Sequence, residues 1–289
     1  MKYLSKESFK KALKWIKQNA RPLEKARLRF YFENDAVDEV KTELEKFQNT
    51  DGGFGHALEP DLRTPNSSVL ATSLAYQIQN IESANQYLLN NYDKKNKTWR
   101  IIPLSAQNSP HAPWWDQADQ KEKFSGFHLN PTAEILGYLP EFNSNLGEKI
   151  LSVLKKLNEI EMHDFLCCKR LSESKNIPDA FRQDLIIELD RLLDTCLVID
   201  STKWNGYGLR PLQVIDSPDS FYYKRLQSLI DENLDYEIDS QDNSGAWLPT
   251  WSWQGTYPNE WERVKTEWSG ILTLDKLLIL KKFGRIISL

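Results

Sequence analysis

The sequence predicts an all-α protein built from helical hairpins. Three observations predict it. Apolar residues recur at helical spacing in one segment after another. Strand signals are scarce, the best being the short "TWRIIPL" at 98–104. Breaks marked by glycine or proline, each with an aromatic near its start, separate the helical stretches.

The elements follow in order. Residues 6–18 place Phe9, Ala12, Leu13 and Ile16 on one helical face, and residues 36–47 do the same with Val37, Val40, Leu44 and Phe47. "NSSVLATSLAYQIQ" at 66–79 lines up Val69, Leu70, Leu74 and Ile78. In "LNPTAEILGYL", Asn130 reads as an N-cap and Pro131 as the first helical residue; "SPDSFYYKRLQSLIDENL" repeats that grammar with Ser217 and Pro218. "SGILTLDKLLILKKFGR" at 269–285 reads as a helix ending at Gly284. Four breaks, at 48–61, 96–115, 200–213 and 240–261, start 48, 104 and 40 residues apart. The long gap fits two repeats, with a further break near "FSGFHLNPTAE" at 124–134. Helix pairs at this period suggest an array or a closed ring of about six pairs. No linker, low-complexity tract or charge block divides the chain, so residues 1–289 read as a single domain.

Charge and composition exclude several function classes. Lys and Arg number 37 against 41 Asp and Glu, with no long single-sign run, which argues against a nucleic-acid partner. No segment approaches the ~20 apolar residues of a membrane span. The opening "MKYLSKESFKKALKWIKQ" lacks the apolar run of a signal peptide. The three cysteines include the adjacent Cys167 and Cys168, a poor disulfide framework, so a reduced cytoplasmic location is expected. Five of the ten tryptophans, Trp247, Trp251, Trp253, Trp261 and Trp268, fall within 22 residues. A core cluster and the lining of a binding site are both open readings of that group.

Two loops carry a resemblance. "QNTDGGFG", followed by about a dozen residues and a helix, resembles the loop repeated in protein prenyltransferase β subunits and squalene-type terpenoid cyclases. "QDNSGAW" at 241–247 looks like a degenerate form of the glutamine–tryptophan motif of those cyclases. "GGFGHALEPDLR", "HLNPTAEILGYL" and "WSGILTLDKL" are similar to stretches of bacterial proteins described as prenyltransferase-like, over nearly the whole chain. The resemblance implies an (α/α)6-type toroid, with inner and outer rings of helices around a central cavity. The chemistry of the loop agrees: glycine lets the backbone double back, glutamine can bond to exposed backbone groups, and the aromatic can cover the turn.

In such a toroid the loops that feed inner helices converge at one mouth. His56, Glu59, Asp61 and Arg63 come from the first loop, and His111, Trp114 and Trp115 from the second. His128, Asn130 and Glu134 follow, then His163 and Asp164, and finally Trp251, Trp253, Glu260, Glu267 and Trp268. His56, Glu59, Asp61, His128, His163 and Asp164 are the candidate general acids and bases. His56, Glu59, Asp61 and His128 are expected to share one wall. Arg63 and Arg210 are candidates for gripping an anionic group. Trp114, Trp115, Asn130, Tyr207, Trp251, Trp253, Glu267 and Trp268 are the other candidate ligand contacts. Each histidine also sits near a helix start, and each acid or arginine also fits a cap or salt bridge.

The chain departs from its relatives-by-resemblance at the reacting groups. After "GGFG" stands "EPDLRTPNS", with no cysteine for a transferase-type zinc site. His163 and Cys167 can share a helix face, but zinc takes three or four ligands. Neither an Asp-x-Asp-Asp acid nor an Asp-Asp-rich magnesium motif occurs. No metal and no cofactor is therefore expected. The expected role is to bind or act on a hydrophobic or isoprenoid-like small molecule, using histidine and carboxylate groups. Two alternatives stay open: a glycan-active toroid with paired acids among Glu59, Asp61, Glu134, Asp164 and Glu267, and a non-catalytic ligand- or partner-binding toroid.

Overall fold

The computed structural model describes residues 1–33, 37–118 and 124–287. The chain is mostly helical and divides into two compact units, Met1–Lys46 with Val198–Leu289, and Phe47–Leu197.

The first unit holds α1 (Lys6–Asn19), α2 (Pro22–Leu28), α3 (Val37–Glu45), α10 (Pro211–Val214), α11 (Tyr223–Asp239) and α12 (Pro258–Lys282). Ser5 caps α1 by accepting the Ser8 N–H at 3.0 Å, and Phe9, Ala12 and Ile16 are buried as their spacing predicts. Helix α12 packs on α1 and α2. Beyond α12 the chain meets its own beginning: Leu4 donates its N–H to Arg285 O at 2.8 Å and accepts the Ile287 N–H at 3.2 Å. The buried Arg285 guanidinium secures that seam by donating to Lys2 O at 2.6 Å and Asp235 Oδ1 at 2.9 Å.

The second unit holds α4 (Val69–Ile78), α5 (Asn85–Asn90), α6 (Leu129–Tyr138), α7 (Ser144–Leu154), α8 (Met162–Glu173) and α9 (Asp179–Cys196). A two-residue antiparallel pair, β1 (Tyr92–Asp93) with β2 (Thr98–Trp99), matches Tyr92 to Trp99 and Asp93 to Thr98. Helix α6 lies against α4 and α8, and α9 against α7 and α8.

The predicted boundaries need correction at four places, one of them the last helix, which starts at Pro258 and not at 269. The strand at 98–104 is confined to Thr98–Trp99. Helix α11 starts at Tyr223, not at Pro218: Ser217 to Ser220 form a turn closed by the Ser220 N–H on Ser217 O at 3.1 Å. Proline suits such a turn as well as it suits a first helical position. Asn130 has the extended backbone required before a proline, φ −90° and ψ 120°, but its side chain accepts from Cys167 Sγ at 3.5 Å. The predicted helix start at 36 and the side chain of Val37 lie outside the described residues.

Two of the breaks share one local geometry. Gln48 Nε2 donates to Gly52 O at 2.9 Å and to Ser83 Oγ at 2.9 Å; Gln241 Nε2 donates to Gly245 O at 2.9 Å and to Ser8 O at 3.1 Å. Gly52 and Gly245 both take left-handed backbone, φ +86° and +97°. A Cβ there would stand 2.8 Å from Ser83 O or 2.6 Å from the Lys11 carbonyl carbon. Two residues on, the buried Phe54 and Trp247 donate their backbone N–H groups to Thr72 Oγ1 (3.0 Å) and Thr273 Oγ1 (2.9 Å). Each threonine hydroxyl in turn donates to the carbonyl four residues back, Ser68 O at 2.8 Å and Ser269 O at 2.6 Å. Trp99 follows part of the pattern: its N–H lies 3.4 Å from Thr132 Oγ1, and its indole donates to Leu88 O at 2.7 Å, as the Trp247 indole does to Glu237 O at 2.7 Å. The loops thus satisfy buried backbone donors with helix threonines.

Gly245→Ala is expected to cost about 2–3 kcal/mol, the left-handed backbone contributing ~1–2 and the close Lys11 backbone the remainder. Gly255→Ala, also on left-handed backbone (φ +86°) but with nothing within 4 Å, is the control and loses only the first part. Chemical denaturation of the two variants reads the difference.

Candidate functional site

The polar groups of the second unit concentrate along the seam between α6 and α8. At its N-terminal end, the Asn130 N–H donates to Asp164 Oδ1 at 2.9 Å. Burial pushes the Asp164 carboxyl up, Glu161 adds to the rise, and the Asn130 N–H, His128 and His163 work against it. His128 Nε2 lies 2.6 Å from Ser125 O, and His163 Nδ1 lies 3.0 Å from Glu161 Oε1. A carbonyl and a carboxylate only accept, so each of those ring nitrogens carries a hydrogen. In the neutral rings, His128 Nδ1 and His163 Nε2 then hold the lone pairs. Four residues expected in one site, His128, Asn130, His163 and Asp164, are therefore neighbours, with His163 on the exposed side.

One turn further along α6, the buried Glu134 carboxylate receives Arg170 Nη1 at 2.7 Å, Gln77 Nε2 at 3.3 Å and the Ser73 hydroxyl. Arg170 keeps 32 % of its side chain accessible. Tyr138, next to this cluster, stacks on Tyr76 at 4.9 Å with the rings nearly parallel. Cys167 and Cys168 are buried in α8, and burial pushes both thiols well up, which keeps them protonated and unreactive.

The first loop and its neighbour are joined by backbone. Leu62 bridges His111 in antiparallel fashion, the Arg63 N–H donates to Pro110 O at 3.0 Å, and the Ala112 N–H donates to Asp61 O at 2.9 Å. Glu59, Asp61 and His111 are buried there, with His111 Nδ1 2.7 Å from Ser109 O. Arg63 Nη1 lies 3.4 Å from Pro60 O, and Trp114 is half-buried. Trp115 packs on the cluster of Leu62, Ile102, Ala106 and Phe124. His56 is exposed on a left-handed backbone of φ 52°, its Nε2 2.8 Å from Asn49 Oδ1, so it faces solvent where Glu59 and Asp61 are enclosed.

In the first unit the tryptophans separate by role. Trp247 is part of the loop architecture described above. Trp253 is fully buried beside Trp261 and Tyr257, with ring centroids at 6.1 and 6.3 Å. Trp251 and Trp268 meet edge to face at 5.2 Å, and their buried indole N–H groups reach no acceptor among the described residues. Glu267 is held by Arg263 Nε at 3.1 Å. Tyr207 is 78 % exposed, a surface position for an aromatic expected to contact ligand.

Arg210 leads to a group the sequence reading missed. Its Nη1 donates to Trp204 O at 3.1 Å and lies 3.7 Å from Glu237 Oε1. The same carboxylate receives Lys276 Nζ at 2.6 Å. Beside Lys276, Asp275 pairs with Arg27 at 3.2 Å. Asp275 keeps 46 % of its side chain accessible, and burial beside it pushes its carboxyl up and the Lys276 amine down. The residues are spread over α2, the cap of α10, α11 and α12, so no spacing in the sequence announces them.

Among the described residues, no three His, Cys, Asp or Glu side chains converge as a metal-binding group, and no helix is long and apolar enough to cross a membrane. No protein-family model, curated protein or solved structure matches the chain.

Proposed function

We propose that this chain is a toroid of the terpenoid cyclase and protein prenyltransferase kind, and that it holds a small hydrophobic or isoprenoid-like molecule toward which Asp164, with His128 and His163, moves a proton. The toroid reading is supported by the two glutamine loops of matching geometry and by the seam that joins Leu4 to Ile286. The chemical reading rests on one observation: a carboxyl of raised proton affinity, set on the Asn130 N–H in a stretch that also holds His128 and His163. A carboxyl with raised proton affinity keeps more of its protonated form available as a general acid than an ordinary carboxyl does at the same pH. The Tyr138 ring and the accessible edge of Arg170 offer an apolar face and a cation along the same seam.

Asp164→Asn tests this. The folded carboxyl binds its proton more tightly than the unfolded one, so ionisation opposes folding. Wild-type stability therefore falls as pH rises from the ordinary carboxylate range through the raised native value. The asparagine variant loses that slope and is at least as stable at neutral pH, while turnover falls by ~10²–10⁴. Ligands retained through purification, read by native mass spectrometry, and incubation with isoprenyl diphosphates supply the assay. Unchanged turnover in the variant would remove Asp164 from the chemistry. The glycan-active reading is favoured by the acceptor-less indole N–H groups of Trp251 and Trp268, which suit an oxygen-rich ligand. Oligosaccharides form the second arm of the assay.

A further inference from the structure

The first unit contains a charged cluster that the proposed chemistry does not use. Three cations, Arg27, Arg210 and Lys276, face two carboxylates, Glu237 and Asp275. The neighbouring Glu24 is closed off by its bidentate pair with Arg21, at 2.8 Å on both oxygens, and adds no net charge. All three cations are largely buried, and enclosing an uncompensated charge is costly. One turn before Glu237 on α11, Asn233 is 0 % exposed; its Oδ1 accepts the Leu212 N–H at 3.0 Å, but its Nδ2 reaches no acceptor among the described residues. Among the described residues the cluster is thus one negative charge short; it carries a spare buried donor, Asn233 Nδ2, and an oxygen, Glu237 Oε1, that is ion-paired but makes no hydrogen bond. Asp275 is its most accessible carboxylate, so the route in passes that side chain.

We propose that this cluster binds a small organic monocarboxylate, seated between the Arg27 guanidinium and the Lys276 amine beside Asp275. Charge selects the ligand class. A carboxylate supplies the single missing negative charge, whereas a doubly charged phosphate overshoots it. The planar fork of arginine also matches a carboxylate with two parallel hydrogen bonds. Asp275 already occupies Arg27 as a resident carboxylate and competes with the incoming one. Asp275 yields by turning its accessible edge to water and keeps its charge, so the count of one missing negative charge stands. This proposal does not rest on the Asp164 chemistry, and Asp164→Asn serves as its control.

The experiment is titration calorimetry of the full chain with butyrate and, separately, inorganic phosphate. Butyrate is expected to bind and phosphate to bind more weakly. Lys276→Met is expected to weaken butyrate at least tenfold, and Asp275→Asn to tighten it about tenfold by removing the competitor. Asp164→Asn is expected to leave it unchanged. Because Lys276→Met exposes Glu237 to loss of its partner and can unfold the unit, the near-isosteric Asp275→Asn carries the decision: a purely structural ion pair gives no gain of affinity. Failure of butyrate to bind the wild type, tighter phosphate binding, or an Asp275→Asn variant that binds no better than wild type overturns the proposal.

Discussion

Glu134→Ala is expected to lower the unfolding free energy by about 3 kcal/mol, among the largest effects of any polar substitution in the chain. Removing one partner of a buried ion pair costs ~3–5 kcal/mol, because the other charge stays enclosed. Arg170 keeps 32 % of its side chain accessible, so water recovers part of that loss and the lower end applies. The Ser73 hydroxyl and Gln77 amide lose their acceptor at the same time. Glu134→Gln preserves an acceptor and should cost ~1–2 kcal/mol. Glu134→Leu with Arg170→Leu, which removes both charges, should come close to neutral. Urea unfolding followed by circular dichroism separates the three. A loss below 1 kcal/mol for Glu134→Ala would mean that the seam is solvated and imposes no constraint on the helices.

Trp247→Ala is expected to cost ~3–5 kcal/mol, the range for emptying a buried tryptophan site. The indole is nearly fully enclosed and donates to Glu237 O at 2.7 Å, so the variant leaves both a void and an unmet carbonyl. Trp247→Phe fills most of the void and should lose ~1 kcal/mol, the net worth of that one hydrogen bond. Thr273→Val is the complementary change. It leaves the side chain's volume in place but strands the Trp247 backbone N–H, which costs ~1–3 kcal/mol. If Thr273→Val proved silent, the threonine would not be what anchors the loop, and the likeness between the two glutamine loops would lose its energetic meaning.

The helices that were legible are those whose apolar spacing alone determines a face. Phe9, Ala12 and Ile16 define α1, and Val69, Leu70, Leu74 and Ile78 announce α4. Where one residue grammar serves two structures, the reading failed: Ser217 and Pro218 suit a turn as well as a helix start. The glutamine loops were legible as a kind because their glycines and aromatics lie within seven or eight residues of each other. The threonines that complete them, Thr72 and Thr273, were not, because they lie 18 and 26 residues further on. The candidate site follows the same rule. His128 with Asn130, and His163 with Asp164, were picked as local pairs, and the fold set the two pairs together. The Arg27, Asp275, Lys276 and Glu237 group escaped notice because its members come from helices separated by most of the sequence.

The seam between Leu4 and Ile286 has a bearing on biosynthesis. Phe47–Leu197 is one continuous stretch, so that unit has all its residues once Leu197 clears the ribosome. The other unit is split, and α1 and α2 are made before Phe47–Leu197 yet must wait for α12, which follows it. Until α12 arrives, the faces of α1 and α2 on which it packs stand uncovered, so segments made before the second unit complete their packing after it.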